Sequence, residues 1–331
     1  MTTSPRHVYD QPQSDNVIVG IHHQLGPILG KGSFGVIYEG RNLSTQQPVA
    51  IKFESCDAPL PLLENEYEVY QVMRGTEGVP RIHYLGREGI DKCMVMDLLG
   101  PSLEDLFDMC GRQFSVKTVV GVGKAMISRL QSVHERYFVF RDVKPDNFLI
   151  GNDPNTKNDL YLIDFGMAKR YKDPKTQRHA CFKTGQGISG TARYMSINAH
   201  LGREQSRRDD MESLAYVLLY FLRGSLPWQG IHASSHKIKY EKICQMKQET
   251  PPADLCSSFP EQFATLLEYT RALRYDEAPD YDHCRDLLDQ ALQHINQRDD
   301  GCRDWMLLND GRGWEAQGRK RPKPALLLMP S

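Results

Sequence analysis

The stretch Phe140-Arg141-Asp142-Val143-Lys144-Pro145-Asp146-Asn147, with Asp164-Phe165-Gly166 downstream, constrains this chain more tightly than any other. Two carboxylates, an amide and a lysine stand here on loops between apolar runs. Phosphoryl transfer draws on that set of groups. One Asp orients an attacking hydroxyl and takes its proton, while a second Asp and the Asn hold magnesium against phosphate oxygens. Magnesium suits such a site because it binds oxygen, takes few ligands from protein and the rest from phosphates and water. On this reading Asp142, Lys144 and Asn147 are the catalytic candidates, and Asn147 and Asp164 the metal candidates.

A chain of 331 residues exceeds one small core and fits two lobes of unequal size. Its apolar share of 40% and charged share of 25% are those of an ordinary soluble globular protein. With a net charge of −1, no global basic field argues for nucleic acid. The eight cysteines are scattered without a C-x-x-C pair, which favours free thiols in a reducing compartment over disulfides or zinc. No apolar run approaches the ~18 residues of a spanning helix, so no transmembrane segment is expected. The first residues lack an apolar signal core and the last ones lack a cysteine for lipidation. The expected location is the cytoplasm, with the nucleus as a second compartment.

Residues 1–21 read as a polar tail. Leu25, Ile28, Val36 and Tyr38 then surround the cluster Gly30-Lys31-Gly32-Ser33-Phe34-Gly35 and predict a β-hairpin. Glycine lets backbone approach a phosphate closely, and its amides can bind the charge. The same spacing occurs in dinucleotide folds, where a helix follows. Here Val36-Ile37-Tyr38-Glu39-Gly40 reads as strand. Val49-Ala50-Ile51-Lys52 supplies a strand-borne lysine, expected to hold the α- and β-phosphates. Residues 62–74 have helical spacing. Among their acids Glu66 is the leading partner for Lys52, with Glu64 and Glu68 in competition. Residues 79–84 and 93–97 read as the last strands of the small lobe, and Leu98-Leu99-Gly100-Pro101 as the break after them. Backbone groups of Asp97 and Leu99 are candidates for an adenine edge, with Met96 behind it.

Ser102-Leu103-Glu104-Asp105 resembles a capping box opening the next helix. Val119, Val122, Met126, Leu130 and Val133 mark a long amphipathic helix that delivers the chain to Phe140. Residues 148–150 and 160–163 read as a strand pair beneath the site. Residues 214–222 are apolar nearly all round and predict a buried helix at the core of the large lobe. Asp210, at its start, is expected to accept backbone amides of the catalytic loop. Further helices are predicted over 237–246, 261–273 and 281–295. Beyond Trp305 the chain turns polar and glycine-rich, and Arg319-Lys320-Arg321-Pro322-Lys323 forms a basic cluster. Cys110, Cys244 and Cys284 are expected as buried thiols. Tyr171 and Thr184 are read as loop hydroxyls open to phosphorylation.

The order of glycine loop, strand lysine, Arg-Asp with its Asn, and Asp-Phe-Gly is that of protein kinases. Longer stretches narrow the likeness. They include Leu98-Leu99-Gly100-Pro101-Ser102-Leu103-Glu104-Asp105-Leu106, Arg141-Asp142-Val143-Lys144-Pro145-Asp146-Asn147-Phe148-Leu149 and Ser189-Gly190-Thr191-Ala192-Arg193-Tyr194-Met195-Ser196-Ile197-Asn198. With residues 201–210 and 224–230, these resemble the casein kinase 1 family of serine/threonine kinases over roughly 22–305. That family has Ser-Ile-Asn where most protein kinases carry Ala-Pro-Glu, and this chain has Ser196-Ile197-Asn198. The pair Glu66-Tyr67 matches the family's Glu-Tyr on its regulatory helix and so selects Glu66.

The resemblance implies an α+β, two-lobed kinase fold, with a β-rich lobe at 22–99, a helical lobe at 100–305 and tails at 1–21 and 306–331. It implies use of ATP and Mg2+ at a nucleotide site of Ile28, Gly30, Gly32, Ser33, Phe34, Gly35, Val36, Ala50, Lys52, Glu66, Met96, Asp97, Leu99 and Asp164. A monomer is expected. The implied substrates are proteins whose Ser or Thr lies three residues after a phosphoserine or an acidic run. A phosphate carries about −1.5 to −2 charge and pairs best with Arg and Lys. By position Arg141 and Lys169 match part of the family's first anion site, and Arg193 and Lys239, beside the Gly230 backbone, the second, while Lys183 adds a cation to the loop that carries Gln186. Gln186 stands where the family usually has a further lysine, which should weaken recognition of primed sites. The alternative reading is a pseudokinase scaffold, disfavoured by the full set of Lys52, Glu66, Asp142, Lys144, Asn147 and Asp164.

Overall fold

Strand-forming alternation dominates the first hundred residues, and six strands result: β1 (Ile18–Val19), β2 (His23–Gly32), β3 (Gly35–Asn42), β4 (Pro48–Glu54), β5 (Ile82–Glu88) and β6 (Asp91–Asp97). The computed structural model describes residues 17–32, 35–58 and 60–317. Ser33, Phe34, most of the two tails and the basic cluster at 319–323 lie outside the described residues. The strands form one antiparallel sheet in the order β1-β2-β3-β4-β6-β5. One face buries Val36, Tyr38, Val49, Ile51, Phe53, Cys93 and Val95. Tyr38 and Phe53 meet edge to face with centroids 5.6 Å apart. Each large side chain so buried contributes about 1.5–3 kcal/mol.

One helix completes this sheet, α1 (Leu63–Val72). Its free N-terminal amides are answered from β4, because Leu62 N and Leu63 N donate to Glu54 Oε1 at 2.6 and 2.9 Å. A carboxylate there also meets the positive end of the helix. The strand predicted from residue 79 starts only at Ile82. Gly78 adopts a φ of +71°, and Pro80 has no N–H to give a ladder.

The chain divides into two compact units, the first holding the described residues to 100 and then 150–166, the second 101–149 and 167–317. Within the first unit, Leu162 N donates to Gly78 O at 2.8 Å, and Gly151 N donates to Asp159 O at 3.1 Å. The segment carrying Asp164 is thereby tied to the turn at Gly78.

The second unit is helical: α2 (Leu103–Met109), α3 (Val116–Glu135), α4 (Ile197–His200), α5 (Arg207–Arg223), α6 (His236–Glu249), α7 (Pro252–Leu255), α8 (Gln262–Ala272) and α9 (Tyr281–His294). Ser102 and Asp105 cap α2 reciprocally, each backbone N–H donating to the other's side chain. The apolar run at 214–222 lies inside α5, whose residues from Asp209 to Leu222 are all buried. Gly224 ends it in the left-handed region, at φ +81°. Phe107, Phe114, Phe221 and Trp305 pack their rings beside it at 5.0–5.6 Å. Two-residue strands, Phe138–Val139 and Lys169–Arg170, pair antiparallel on either side of the catalytic loop in sequence. Among the described residues no helix is long and apolar enough to cross a membrane.

Two expectations change here. Cys110 ends α2 and is half-buried, whereas Cys244 and Cys284 are buried. Tyr171 is not an exposed loop hydroxyl: it is 4% exposed, donates to His134 O at 2.8 Å and lies under the Arg207 guanidinium.

Candidate active site

In the first unit, the sheet register places Ala50 opposite Met96 and Lys52 opposite Met94. Lys52 Nζ lies 2.6 Å from Glu66 Oε2 and 3.0 Å from Asp164 Oδ1. Burial works against the Lys52 charge, but Asp164 and Glu66 outweigh it and hold the ammonium above the ordinary lysine range. Burial pushes the Glu66 carboxyl up to about 7, with Lys52 pulling the other way. Glu66 is 1% exposed. Its rivals face outward: Glu64 pairs with Lys92 at 2.8 Å, and Glu68 is exposed.

Asp164 has a φ of +67°, costly for a side chain with a Cβ. Three groups hold the turn in that shape. Asp164 N donates to Tyr70 Oη at 3.2 Å, Asn65 Nδ2 donates to Gly166 O at 2.9 Å, and Phe165 meets the Tyr70 ring at 4.9 Å. All come from α1, so the helix that carries Glu66 also shapes the Asp164 turn.

The glycine loop closes between Gly32 on β2 and Gly35 on β3. At Gly35, φ is +148° and an added Cβ would sit 1.8 Å from Phe53 O, so only glycine fits. Gly30 has open space where a Cβ would be. Val36 is buried, while Ile28 is 38% exposed. Asp97 N donates to Arg81 O, and the Asp97 carboxylate takes Arg81 N and His83 Nε2. The N–H of Asp97 is therefore committed, leaving its carbonyl and the half-buried Leu99 as the edge-binding candidates.

In the second unit, Asp142 is 5% exposed and held on both oxygens. Lys144 Nζ donates to Oδ2 at 2.6 Å and Thr191 Oγ1 to Oδ1 at 2.8 Å. Asn147 Nδ2 donates to Asp142 O at 2.9 Å, which turns the amide oxygen outward from that bond. The loop backbone rests on Asp210, whose carboxylate accepts Phe140 N at 2.7 Å and Arg141 N at 2.8 Å. Arg141 sits at φ +69°. Gly190 passes its carbonyl so closely that a Cβ would lie 2.7 Å from Arg141 O. Thr191 follows at once, which is how it reaches Asp142. The role of Thr191 was not visible in the sequence; only its place in the Gly190-Thr191-Ala192-Arg193 string marked it.

The anion-site candidates divide. Arg141 Nε donates to Met167 O at 2.7 Å. Lys169 pairs with Glu204 Oε1 at 2.6 Å, and Lys183, itself exposed, accepts Glu204 N on its carbonyl. Glu204, 5% exposed and passed over in the sequence, thus sets a carboxylate among these cations. Arg193 turns toward tyrosines: its guanidinium lies 5.5 and 5.4 Å from the Tyr194 and Tyr220 rings and bonds Tyr194 Oη at 3.1 Å. Lys239 on α6 is exposed, and Gly230 adopts φ +75° in open space. Gln186 donates its backbone N–H to Gly202 O at 2.8 Å.

The protein kinase domain family matches residues 23–298. The chain is 54% identical over 309 residues to Casein kinase I homolog 3 of Schizosaccharomyces pombe, a match covering 93% of this chain and 70% of that protein. It is 53% identical over 305 residues to Casein kinase I homolog 2 of the same yeast, covering 92% and 70%. To Casein kinase I homolog 1 of Saccharomyces cerevisiae it is 51% identical over 323 residues, covering 97% of this chain and 60% of that protein.

Proposed function

The chain belongs to the casein kinase I family and is a serine/threonine protein kinase, and on that premise we propose how its residues divide the reaction. Asp142 receives the proton of the substrate hydroxyl. The observation that carries this role is its hydrogen-bond set: Lys144 on one oxygen and Thr191 on the other fix the carboxylate. A carboxylate has about four acceptor positions, so the bound form keeps room for a hydroxyl. Lys144 also brings positive charge to the phosphoryl being transferred. Positioning and charge carry such a reaction, because little covalent work falls to the protein.

Asn147 in the second unit and Asp164 in the first are each the magnesium candidate of their unit, and each offers an oxygen of the kind magnesium takes. Bound magnesium supplies neutralisation of phosphate charge. Lys52, braced by Glu66, orients the α- and β-phosphates of ATP, and the amides of the glycine loop lie over the phosphates. Ile28, Val36, Ala50 and Met96 form the apolar part of the nucleotide site.

Preferred substrates carry acidic residues or phosphoserine three positions before the target, read by Arg141, Lys169 and Lys183. Glu204 and the missing lysine at 186 temper the pull on a phosphate. The protein acts as a monomer in cytoplasm and nucleus, testable by gel filtration and imaging. Asp142→Asn tests the central role. ATP binding should survive while turnover falls by about 10² or more, and substantial residual turnover would refute it.

A further inference from the structure

Lys247 lies in the last turn of α6, just past the end of the helix that spacing predicted, and is 0% exposed. Its ammonium donates to Ala192 O at 3.0 Å and Met195 O at 2.6 Å, and stands 3.2 Å from His200 Nε2. The charge rests over the rings of Tyr216 and Trp228, at 4.8 and 5.1 Å. Among the described residues no carboxylate bonds to it. The charged and titratable groups facing it are Glu212 and Tyr216 of α5, Arg271 of α8, Cys244 of α6 and His200 of α4. Burying an ammonium is costly unless its donors are used. An apolar side chain of similar length would fill the space more cheaply. Burial lowers the amine well below the ordinary lysine range, and charged or neutral it supplies at least two N–H donors aimed at one turn.

That turn is 191–195. Tyr194 N and Met195 N both donate to Thr191 O at 2.9 Å, and Trp228 Nε1 donates to Arg193 O at 2.7 Å. The carbonyls of residues 192, 193 and 195 are all tied to the core. Thr191, at the start of the turn, bonds Asp142. We propose that Lys247 is a positioning residue for phosphoryl transfer: by pinning this turn it sets Thr191 and, through it, the Asp142 carboxylate, an assignment that rests on Asp142 being the proton acceptor. Burial lowers His200 to about 3, so near neutral pH its ring is uncharged and can accept from Lys247.

The test is a cycle of Lys247→Met, Thr191→Val and the double variant in the full chain, assayed on a serine peptide with an acidic run ending three residues earlier. K247M should lower kcat about tenfold to a hundredfold, with the KM for ATP unchanged. T191V should lose a similar factor, and the double variant should fall no further than T191V, because both act through one hydrogen bond. A lysine that is merely structural would lower the melting temperature, and its kinetic loss would multiply with that of T191V. Multiplied losses, or wild-type kcat in K247M, overturn the assignment. If K247M does not fold, Lys247→Gln, polar enough for the buried site but one bond too short to hold both the Ala192 and Met195 carbonyls, carries the same cycle with the same two outcomes. A parallel D142N arm separates the causes. Turnover surviving in D142N removes the premise and the assignment with it, whereas inactive D142N beside a wild-type K247M removes Lys247 alone.

Discussion

Asp210→Asn isolates the support of the catalytic loop. Asp210 is 2% exposed and serves three groups, with Phe140 N and His134 Nε2 at Oδ2 and Arg141 N at Oδ1. An asparagine keeps the shape but has one oxygen, and its NH2 must face one of the two loop amides. Turning the amide over moves the conflict from Arg141 N to Phe140 N without removing it. One buried N–H therefore loses its acceptor, at about 1–3 kcal/mol. The bonds that survive lose their charge assistance, adding about 1 kcal/mol. Arg141, already at φ +69°, then has less to hold it there. The expected loss is about 2–4 kcal/mol, a large share of the roughly 5–15 kcal/mol of a typical domain. All three tryptophans, Trp228, Trp305 and Trp314, belong to the second unit, so their fluorescence during urea unfolding reports on that unit. With a urea slope of about 1–3 kcal/mol per M, the midpoint should fall by about 0.7 M or more, with kcat reduced at least about tenfold. A midpoint within about 0.2 M of wild type and an unchanged kcat would show that Asp210 is not what holds the loop.

Two further outcomes concern charge. Burial, with Lys247 beside it, depresses His200 from 6.5 to about 3. The unfolded chain therefore takes up this proton first. Stability from this group is complete above about pH 6.5 and declines as pH falls toward 3, by up to about 1.4 kcal/mol per pH unit. His200→Gln should flatten the acid side of stability measured between pH 4 and 6.5, and an unaltered slope would contradict the linkage. For substrate choice, initial rates on a phosphoserine-primed peptide and its plain counterpart should show a modest primed preference in the wild type. Gln186→Lys should raise it by up to about fivefold, the worth of one exposed ion pair near 1 kcal/mol. Identical ratios in both proteins would place phosphate recognition elsewhere.

Local pattern reached far into this molecule. The run at 214–222 announced a helix with no polar face, and that part of α5 is buried on all sides because its side chains are apolar or aromatic all round. Asp210 could be read at its start because a carboxylate opening a buried helix must find donors, and the catalytic loop supplies them. Spacing alone left three glutamates for Lys52. Packing separated them, since α1 turns Glu66 onto β4 while Lys92 draws Glu64 outward. The sequence by itself determined most of the longer elements, the glycine cluster and the inventory of reacting groups, because periodicity and backbone preference act over a few residues. Only the tertiary structure decided that Glu204 neutralises Lys169, that Thr191 steadies Asp142 and that Lys247 closes the turn behind it. These partners stand 35, 49 and 52 positions apart. A lysine near the end of a polar helix looks solvated in sequence, and becomes a buried donor only when α4, α5 and α8 close around it.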